Sequence, residues 1–266
     1  MKYLTLNNGV QMPIVGFGTW DVRGKNGKRS ILEALEIGYR LIDTAQMYNN
    51  EDIVGKAVLE SGLAREEVFL TTKLYRPSTS YQNAKADIEK SLNNLQTNYI
   101  DLLLIHEPYE NALEMYEAFK EAYQDGKLRA IGISNFDTKK YEKFIRFCGI
   151  IPAVNQVESH VYYPQFDLKK QLNTRGTQMQ SWASFTEGRK NIFAEPILLQ
   201  ISAKYGKTSA QVVLRYLIQN GIAVIPKSVH RERMKQNLDI FDFELTAEDI
   251  EQINSLNGNR SLFGWY

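Results

Sequence analysis

The sequence predicts an α/β fold, a TIM-type (β/α)8 barrel that forms a single domain over residues 1–266, and three observations support it. Eight short apolar segments alternate with helical patterns from Val15 onward. These segments are continuously apolar, which is typical of parallel strands covered on both faces. The length fits eight such units, and no change of composition indicates a second domain.

The first element is a hairpin that we expect to close the bottom of the barrel. Segment 3–12 carries Asn-Asn-Gly at its centre, and Asn-Gly between two short strands is a strong turn signal. A charged loop over 23–29 then leads to a helix over 30–37, which Gly38 ends as a C-terminal cap.

The remaining strands and helices follow in alternation. Apolar runs predict barrel strands near residues 14–20, 41–43, 68–73, 100–105, 130–134, 153–157, 178–182 and 222–225. Apolar residues three and four apart predict helices near residues 51–59, 80–94, 112–124, 137–147, 166–172 and 208–219. Asp137 is an expected N-cap, and Thr246 begins a capping box that opens a final helix.

Composition and charge exclude several classes of function. Hydrophobic residues make up 43% of the chain and the formal net charge is +1, so no nucleic-acid or membrane partner is indicated. The single cysteine, Cys148, excludes an internal disulfide and fits a reducing compartment. The first residues lack the apolar core of a signal peptide, so we expect a cytoplasmic protein. The oligomeric state is left open, and a monomer is compatible with the sequence.

Polar or aromatic side chains follow nearly every predicted strand. In a (β/α)8 barrel the carboxyl ends of the strands meet at one mouth, where active sites lie. The residues placed there are Asp43 with Tyr48 after it, Lys73, His106, Ser134, Asn135, Gln156, Trp182, Lys227 and Ser228. Singly, each has a structural explanation, such as an ion pair, a half-buried anchor, a loop contact or packing. The inference of an active site therefore depends on their common location.

Proton delivery is the chemistry that this set supports. A phenol has an ordinary pKa near 10, and a neighbouring lysine cation lowers it. Asp43 would hold Lys73 in place, Tyr48 would act as general acid, and His106 would hydrogen-bond the substrate oxygen. The histidines and the cysteine lack metal-ligand spacing and no Gly-x-Ser-x-Gly motif occurs, so we expect no metal and no serine nucleophile. The sequence thus predicts reduction of a carbonyl by hydride from a nicotinamide cofactor.

The segment 225–237 is the predicted phosphate-binding region of that cofactor. The Rossmann fingerprint is absent, because Gly16-Phe17-Gly18 lacks the third glycine and a helix directly after it. Lys227, Ser228 and Arg233 precede or open a helix, where free backbone N–H groups and cations favour phosphate. A charged, solvated helix face is the alternative explanation.

The chain resembles the aldo-keto reductase family over nearly its whole length. The matching stretches, in family order, are GFGTW, GYRLIDTAQMYNNE, LTTKLY, DLLLIHEP, GISNF, VNQVESH, QSWASF and IPKSVHRERMKQN. The resemblance implies a barrel enzyme that reduces small aldehydes or ketones to alcohols with NADPH. The catalytic residues that it implies are Asp43, Tyr48, Lys73 and His106.

The same resemblance implies where the ligands bind. The nicotinamide carboxamide would contact Ser134, Asn135 and Gln156, and the ring would stack on Trp182. The loop near cofactor and substrate would be Gly18, Thr19 and Trp20. The adenosine end would contact Lys227, Ser228, Arg233, Gln236 and Asn237, and the two cations suggest NADP(H) rather than NAD. The substrate would lie against Trp20, Tyr48, His106 and Trp265.

Three departures from the family pattern concern the substrate. Trp182 stands where many members have tyrosine, Glu107 stands where many animal members have an aromatic residue, and most of a long C-terminal loop is missing. These features resemble bacterial members such as diketogluconate reductases and predict an open, polar pocket, which leaves keto-sugars and keto-acids as candidates. Two other functions stay open: a cofactor-binding regulatory protein that acts through a partner, and a sugar-phosphate isomerase.

Overall fold

A two-stranded antiparallel hairpin precedes an eight-stranded parallel sheet in the computed structural model, which describes residues 2–264. The hairpin consists of β1 (Tyr3–Thr5) and β2 (Gln11–Pro13). The sheet consists of β3 (Phe17–Gly18), β4 (Leu41–Asp43), β5 (Phe69–Leu74), β6 (Leu102–Ile105), β7 (Ile131–Ser134), β8 (Val154–Glu158), β9 (Gln178–Trp182) and β10 (Ala223–Val224). Each strand pairs with the next in chain order.

The two edges of the sheet meet, and this contact closes the barrel. Val15, just before β3, forms a parallel bridge with Val224 of β10. The Gly16 N–H donates to the Val224 carbonyl at 2.8 Å, and the Val224 N–H donates to the Ile14 carbonyl at 2.9 Å. The predicted (β/α)8 fold is therefore confirmed.

The hairpin lies at the amino ends of the strands, as the sequence predicts. The Asn7 side chain donates to the Pro152 carbonyl at 3.2 Å, and the Asn8 side chain donates to the Arg129 carbonyl at 2.8 Å. Both carbonyls precede barrel strands, β8 and β7 respectively. The hairpin therefore covers the end of the barrel opposite the mouth.

Helices surround the sheet. Their bounds are α1 (Gly24–Ile37), α2 (Glu51–Glu60), α3 (Tyr81–Leu95), α4 (Ala112–Gln124), α5 (Thr138–Ile145), α6 (Phe166–Asn173), α7 (Pro196–Tyr205), α8 (Ser209–Gln219), α9 (Arg231–Leu238) and α10 (Ala247–Asn254). Within residues 2–264, none of them combines the length and the apolar character that a membrane crossing requires.

The predicted loop over 23–29 is wrong, because α1 begins at Gly24. Its charged residues suggested a loop, but they form the solvent side of the helix, where Arg29 pairs with Glu33 four residues later at 2.8 Å. Gly27 permits this early start, since a Cβ there would lie 2.8 Å from the carbonyl carbon of Val22.

Helix α7 is absent from the sequence prediction. Its residues Ile197, Leu198 and Leu199 form a continuous apolar run without a clear helical period. Pro196 at the first helical position supplies a start that periodicity alone does not reveal.

The predicted helix caps are present. The Asp137 carboxylate accepts the Lys140 N–H at 2.8 Å at the start of α5, and Thr246 and Asp249 form the capping box of α10. Gly38 ends α1 with a φ of 121°, a backbone region that a side chain disfavours.

Substitution of Gly132 tests the packing between β7 and β8. A Cβ at this position would lie 2.6 Å from the Val154 carbonyl oxygen, so Gly132→Ala should lower the free energy of unfolding by about 2 kcal/mol or more. Gly258→Ala is the matched control, because the nearest atom would be 3.9 Å away. Urea unfolding measures both; equal stability of the two variants would contradict the tight packing.

Candidate active site

The mouth of the barrel contains a cavity of about 560 Å³. Its lining includes, among the residues proposed from the sequence, Gly18, Thr19, Trp20, Asp43, Tyr48, His106, Ser134, Asn135, Gln156, Trp182 and Lys227. The strands place these side chains together because all their carboxyl ends meet at this rim. Lys73 lies beneath the cavity floor and reaches it through Tyr48.

A buried ion pair forms the base of the site. The Lys73 Nζ lies 2.5 Å from Asp43 Oδ1 and donates to the Thr44 carbonyl at 2.9 Å, and both side chains are almost inaccessible to solvent. Burial is the largest single effect on the lysine pKa and opposes the charge on Lys73, but the attraction of Asp43 and Tyr48 and their hydrogen bonds together outweigh it and raise that pKa. Burial raises the pKa of Asp43, and Lys73 counteracts part of that rise.

Asp43 is held from its other side by Gln156. The Gln156 Nε2 donates to Asp43 Oδ2 at 2.7 Å and to Gln180 Oε1 at 2.8 Å. Both amide hydrogens of Gln156 are thus used inside the protein, while its Oε1 accepts no hydrogen bond from residues 2–264. The Oε1 of Gln156 is therefore able to accept a hydrogen bond in the cavity, at the place that the sequence analysis assigned to the nicotinamide carboxamide.

Tyr48 lies between the ion pair and the cavity. Its hydroxyl is 3.5 Å from Lys73 Nζ, and its ring meets the rings of Trp20 and His106 edge-on, with centroids 5.0 and 5.7 Å away. Burial raises the pKa of Tyr48, and the opposing effect of Lys73 is smaller. The expected net lowering of this pKa is therefore wrong for this structure, because burial was underestimated. Tyr48 keeps its proton at neutral pH.

His106 is buried and neutral. Burial, assisted by the Lys73 cation, lowers its pKa to about 3. Its Nδ1 has no hydrogen-bond partner among the described residues, while its backbone carbonyl accepts the Asn135 amide at 3.1 Å. A neutral imidazole beside the Tyr48 ring suits a hydrogen bond to a polarised oxygen, and it adds no positive charge.

The Trp182 indole is fixed by a hydrogen bond. Its Nε1 donates to Asn135 Oδ1 at 2.7 Å, a contact that a tyrosine ring has no N–H to make. The Asn135 N–H and the Ser134 hydroxyl both donate to the Gln156 carbonyl, at 2.9 and 2.7 Å. The residues expected to hold a carboxamide are thus connected to each other.

The predicted adenosine region lies partly outside the cavity. Lys227 lines it, whereas Arg233, Gln236 and Asn237 lie on α9, and Ser228 accepts the His230 N–H at 3.1 Å. Two nearby cations are neutralised: Arg231 by Glu36 at 2.8 Å and Lys235 by Glu232 at 2.9 Å.

Lys227 and Arg233 differ from those two cations. Neither has an ion-pair partner within residues 2–264. These two cations are therefore available to an anion. Trp265, expected near the substrate, lies outside the described residues.

Sequence reasoning missed several residues of the mouth. Gln180, fully buried in β9, orients Gln156, and a polar residue between Met179 and Ser181 in a strand was the available signal. Glu187, Arg189 and Phe263 also line the cavity. They come from a loop and a terminal segment whose positions no local pattern predicts.

A second groove adjoins the first at Asn135. Its volume is about 690 Å³, and its lining is polar: Arg76, Thr79, Glu107, Pro108, Tyr109, Glu110, Asn111 and Asn135. The side chains of Arg76 and Glu107 form no ion pair within the part of the chain that the structure describes. The open, polar substrate pocket expected from the sequence stays a prediction.

The barrel and this rim of polar residues define the chain as an aldo-keto reductase: it belongs to the aldo/keto reductase family, whose model matches residues 14–258. It is 42% identical to the glyoxal reductase of Bacillus subtilis (strain 168) over 254 residues, which cover 95% of this chain and 91% of the relative. The resemblance inferred from the sequence is therefore confirmed.

Solved structures agree. An aldo-keto reductase from a Medee basin deep-sea metagenome library superposes with a TM-score of 0.95 at 39% identity, covering 97% of this chain and 96% of that one. An aldo-keto reductase of Bombyx mori in complex with NADP gives a TM-score of 0.92 at 32% identity, covering 98% of this chain and 94% of that one.

Removal of the Asp43 charge tests the buried ion pair. Asp43→Asn leaves Lys73 charged and uncompensated, so the free energy of unfolding should fall by about 3 kcal/mol. The exposed pair of Asp52 with Lys56, 3.1 Å apart on α2, provides the control Asp52→Asn, for which we expect a change under about 0.5 kcal/mol. Urea unfolding at pH 7 measures the stability of both variants. Similar losses of stability in Asp43→Asn and Asp52→Asn would contradict the larger contribution expected of the buried ion pair.

Proposed function

We propose that this protein reduces the carbonyl group of small polar aldehydes or ketones to alcohols with NADPH. The observation that carries the proposal is the contact between a protonated Tyr48 and a Lys73 cation held by Asp43, at the floor of an open cavity. Family membership and the similarity to a glyoxal reductase support the reaction class. The NADP complex of the Bombyx mori relative supports the cofactor.

Each residue of the floor has a distinct role in this proposal. Tyr48 donates its proton to the carbonyl oxygen as negative charge develops there. Lys73 stabilises the phenolate that remains, and Asp43 keeps Lys73 charged and in place. His106, neutral at its low pKa, hydrogen-bonds the same oxygen and directs it toward Tyr48.

The cavity fits a nicotinamide ring. When bound, NADPH supplies hydride to the carbonyl carbon. Trp182 offers an aromatic face fixed by Asn135, and the Oε1 of Gln156, which accepts no hydrogen bond from residues 2–264, would accept from a carboxamide N–H. Ser134 and Asn135 would complete this contact. Gly18, Thr19 and Trp20 form the adjoining wall, and Gly18 leaves no room for a side chain because a Cβ would lie 2.6 Å from the Ile225 carbonyl oxygen.

The adenosine end is proposed to lie along Lys227, Ser228 and α9. Within residues 2–264, Lys227 and Arg233 have no carboxylate partner, which suits them to phosphate groups. Gln236 and Asn237 follow on the same helix and would contact the adenosine. This arrangement favours NADPH, whose 2′-phosphate needs a cation, over NADH.

The substrate is proposed to lie against Trp20, Tyr48 and His106 and to extend toward the second groove. Arg76 and Glu107 give that groove charges of both signs that form no ion pair with another residue in the range 2–264, which suits hydroxyl-bearing or short dicarbonyl compounds better than apolar ones. Keto-sugars and keto-acids stay within this class. The connected residues at the floor favour catalysis over a regulatory role through a partner.

Replacement of Tyr48 by phenylalanine tests the general acid. Tyr48→Phe should lower kcat for methylglyoxal or glyoxal reduction by about 100-fold or more and leave the NADPH dissociation constant unchanged, because only the hydroxyl is lost. Tyr3→Phe, on the exposed hairpin, is the control and should retain full activity. Near-normal turnover in Tyr48→Phe would refute the assigned acid, and a wild type that binds NADPH but reduces no carbonyl compound would favour the regulatory alternative.

Replacement of Arg233 tests the cofactor preference. Arg233→Ala should weaken NADPH binding by about tenfold and leave NADH binding unchanged, since only NADPH carries the 2′-phosphate. Arg231→Ala is the matched control, because Arg231 already pairs with Glu36. Fluorescence titration with both cofactors measures the effect, and equal weakening for NADPH and NADH would exclude a specific phosphate contact.

A further inference from the structure

We infer that Glu158 is a positioning residue that holds the C-terminal segment, residues 261–264, against the indole of Trp182. The effect on cofactor binding that we derive from this contact rests on the proposed function. Glu158 is the last residue of β8 and lies fully buried, on the same face of the strand as Gln156 two residues earlier. It therefore belongs to the layer of the mouth just above the carboxamide-binding residues.

The carboxylate of Glu158 binds the segment directly. Its Oε2 accepts the Ser261 hydroxyl at 2.5 Å, and its Oε1 accepts the Leu262 N–H at 2.8 Å. The His160 Nε2 lies 3.0 Å from the same Oε1. Burial opposes ionisation, but these hydrogen bonds outweigh it and lower the pKa of Glu158, so the acceptor is charged at neutral pH. A charged acceptor makes stronger hydrogen bonds than a neutral one.

Ser261 turns the segment as well as anchoring it. Its hydroxyl oxygen accepts the N–H groups of Phe263 at 3.1 Å and of Gly264 at 2.9 Å while donating to Glu158. One side chain thus connects the backbone N–H groups of two residues of the segment to Glu158. Loss of the hydroxyl would remove the acceptor of Phe263 and Gly264, whereas the Leu262 N–H would keep its bond to Glu158.

Arg189 holds the segment from the opposite side. Its Nη1 donates to the Leu262 carbonyl at 3.2 Å, and its guanidinium carbon lies 4.3 Å from the centroid of the Phe263 ring. Arg189 belongs to the loop after β9, so the terminal segment connects two separate strand ends across the mouth. Its position therefore depends on Glu158 below and on Arg189 beside it.

The segment acts on the site through Phe263. The Phe263 ring packs edge-on against Trp182, with centroids 4.9 Å apart and an interplanar angle of 71°, and both residues line the cavity. Trp182 is thus restrained at its N–H by Asn135 and at its ring by Phe263. An aromatic face that is already fixed loses less freedom when a nicotinamide ring stacks on it, which strengthens binding. Glu158 is therefore expected to raise cofactor affinity without touching the cofactor.

The first measurement concerns the segment itself and needs no cofactor. Ser261→Ala should accelerate hydrogen–deuterium exchange at the amides of residues 263 and 264 by about tenfold or more, because their shared acceptor is lost. Glu158→Gln should accelerate exchange at the Leu262 amide, because its charged acceptor becomes neutral. Ser255→Ala is the matched control, because among residues 2–264 the Ser255 hydroxyl bonds only the nearby Gln252 carbonyl. Urea unfolding of Ser261→Ala should match the wild type. Unchanged exchange in Ser261→Ala and Glu158→Gln would overturn the inference.

The second measurement is the NADPH dissociation constant by fluorescence titration. It should rise about fivefold or more in Ser261→Ala, and also in Phe263→Leu, which removes the ring contact while leaving the Glu158 anchor intact. Ser255→Ala should bind NADPH normally. If hydrogen–deuterium exchange in the segment becomes faster while the NADPH dissociation constant stays unchanged, the inference that the segment acts on cofactor binding through Trp182 is overturned. A wild type that fails to bind NADPH would instead refute the proposed function together with this cofactor effect, and the exchange measurement would still decide whether Glu158 holds the segment.

Discussion

The ion pair between Asp43 and Lys73 is the interaction on which the site depends. Two opposite charges are almost wholly removed from water, so each would be destabilised without the other. The barrel makes the pairing possible because β4 and β5 are neighbouring parallel strands whose carboxyl ends point the same way. Asp43 also accepts from Gln156, which extends the pairing across the barrel to β8 and, through Gln180, to β9.

This connection links the strand ends around the mouth. Asn50 provides a second one, since its side chain donates to the carbonyls of Thr19 and Val22 and accepts the Thr44 hydroxyl at 2.6 Å. The loop that carries Trp20 and the turn that carries Tyr48 are thus fixed to each other. A fixed geometry around Tyr48 favours proton transfer, because little reorganisation is needed when a substrate binds.

The ionisation state of Tyr48 shows how the structure changed the chemical argument. The sequence led us to expect a phenol made more acidic by lysine, but burial raises its pKa instead. A buried lysine favours the phenolate only against a desolvation cost that no sequence pattern reveals. The role of proton donor is compatible with this result, since the donor must be protonated before the reaction.

The sequence by itself determined the barrel strands, the hairpin, most of the helices and the residue types at the strand ends, but not α7 or the start of α1. Continuous apolar runs predicted the strands, and Asn-Gly predicted the hairpin. Polar residues after each run predicted the residues at the mouth of the barrel. All of these patterns are local properties of the chain. Only the tertiary structure decided which side chains meet. The Glu158 contact with Ser261 joins residues more than a hundred positions apart, and the pKa values of Tyr48 and His106 follow from burial. Such contacts and desolvation arise only when distant segments pack together, so no local pattern specifies them.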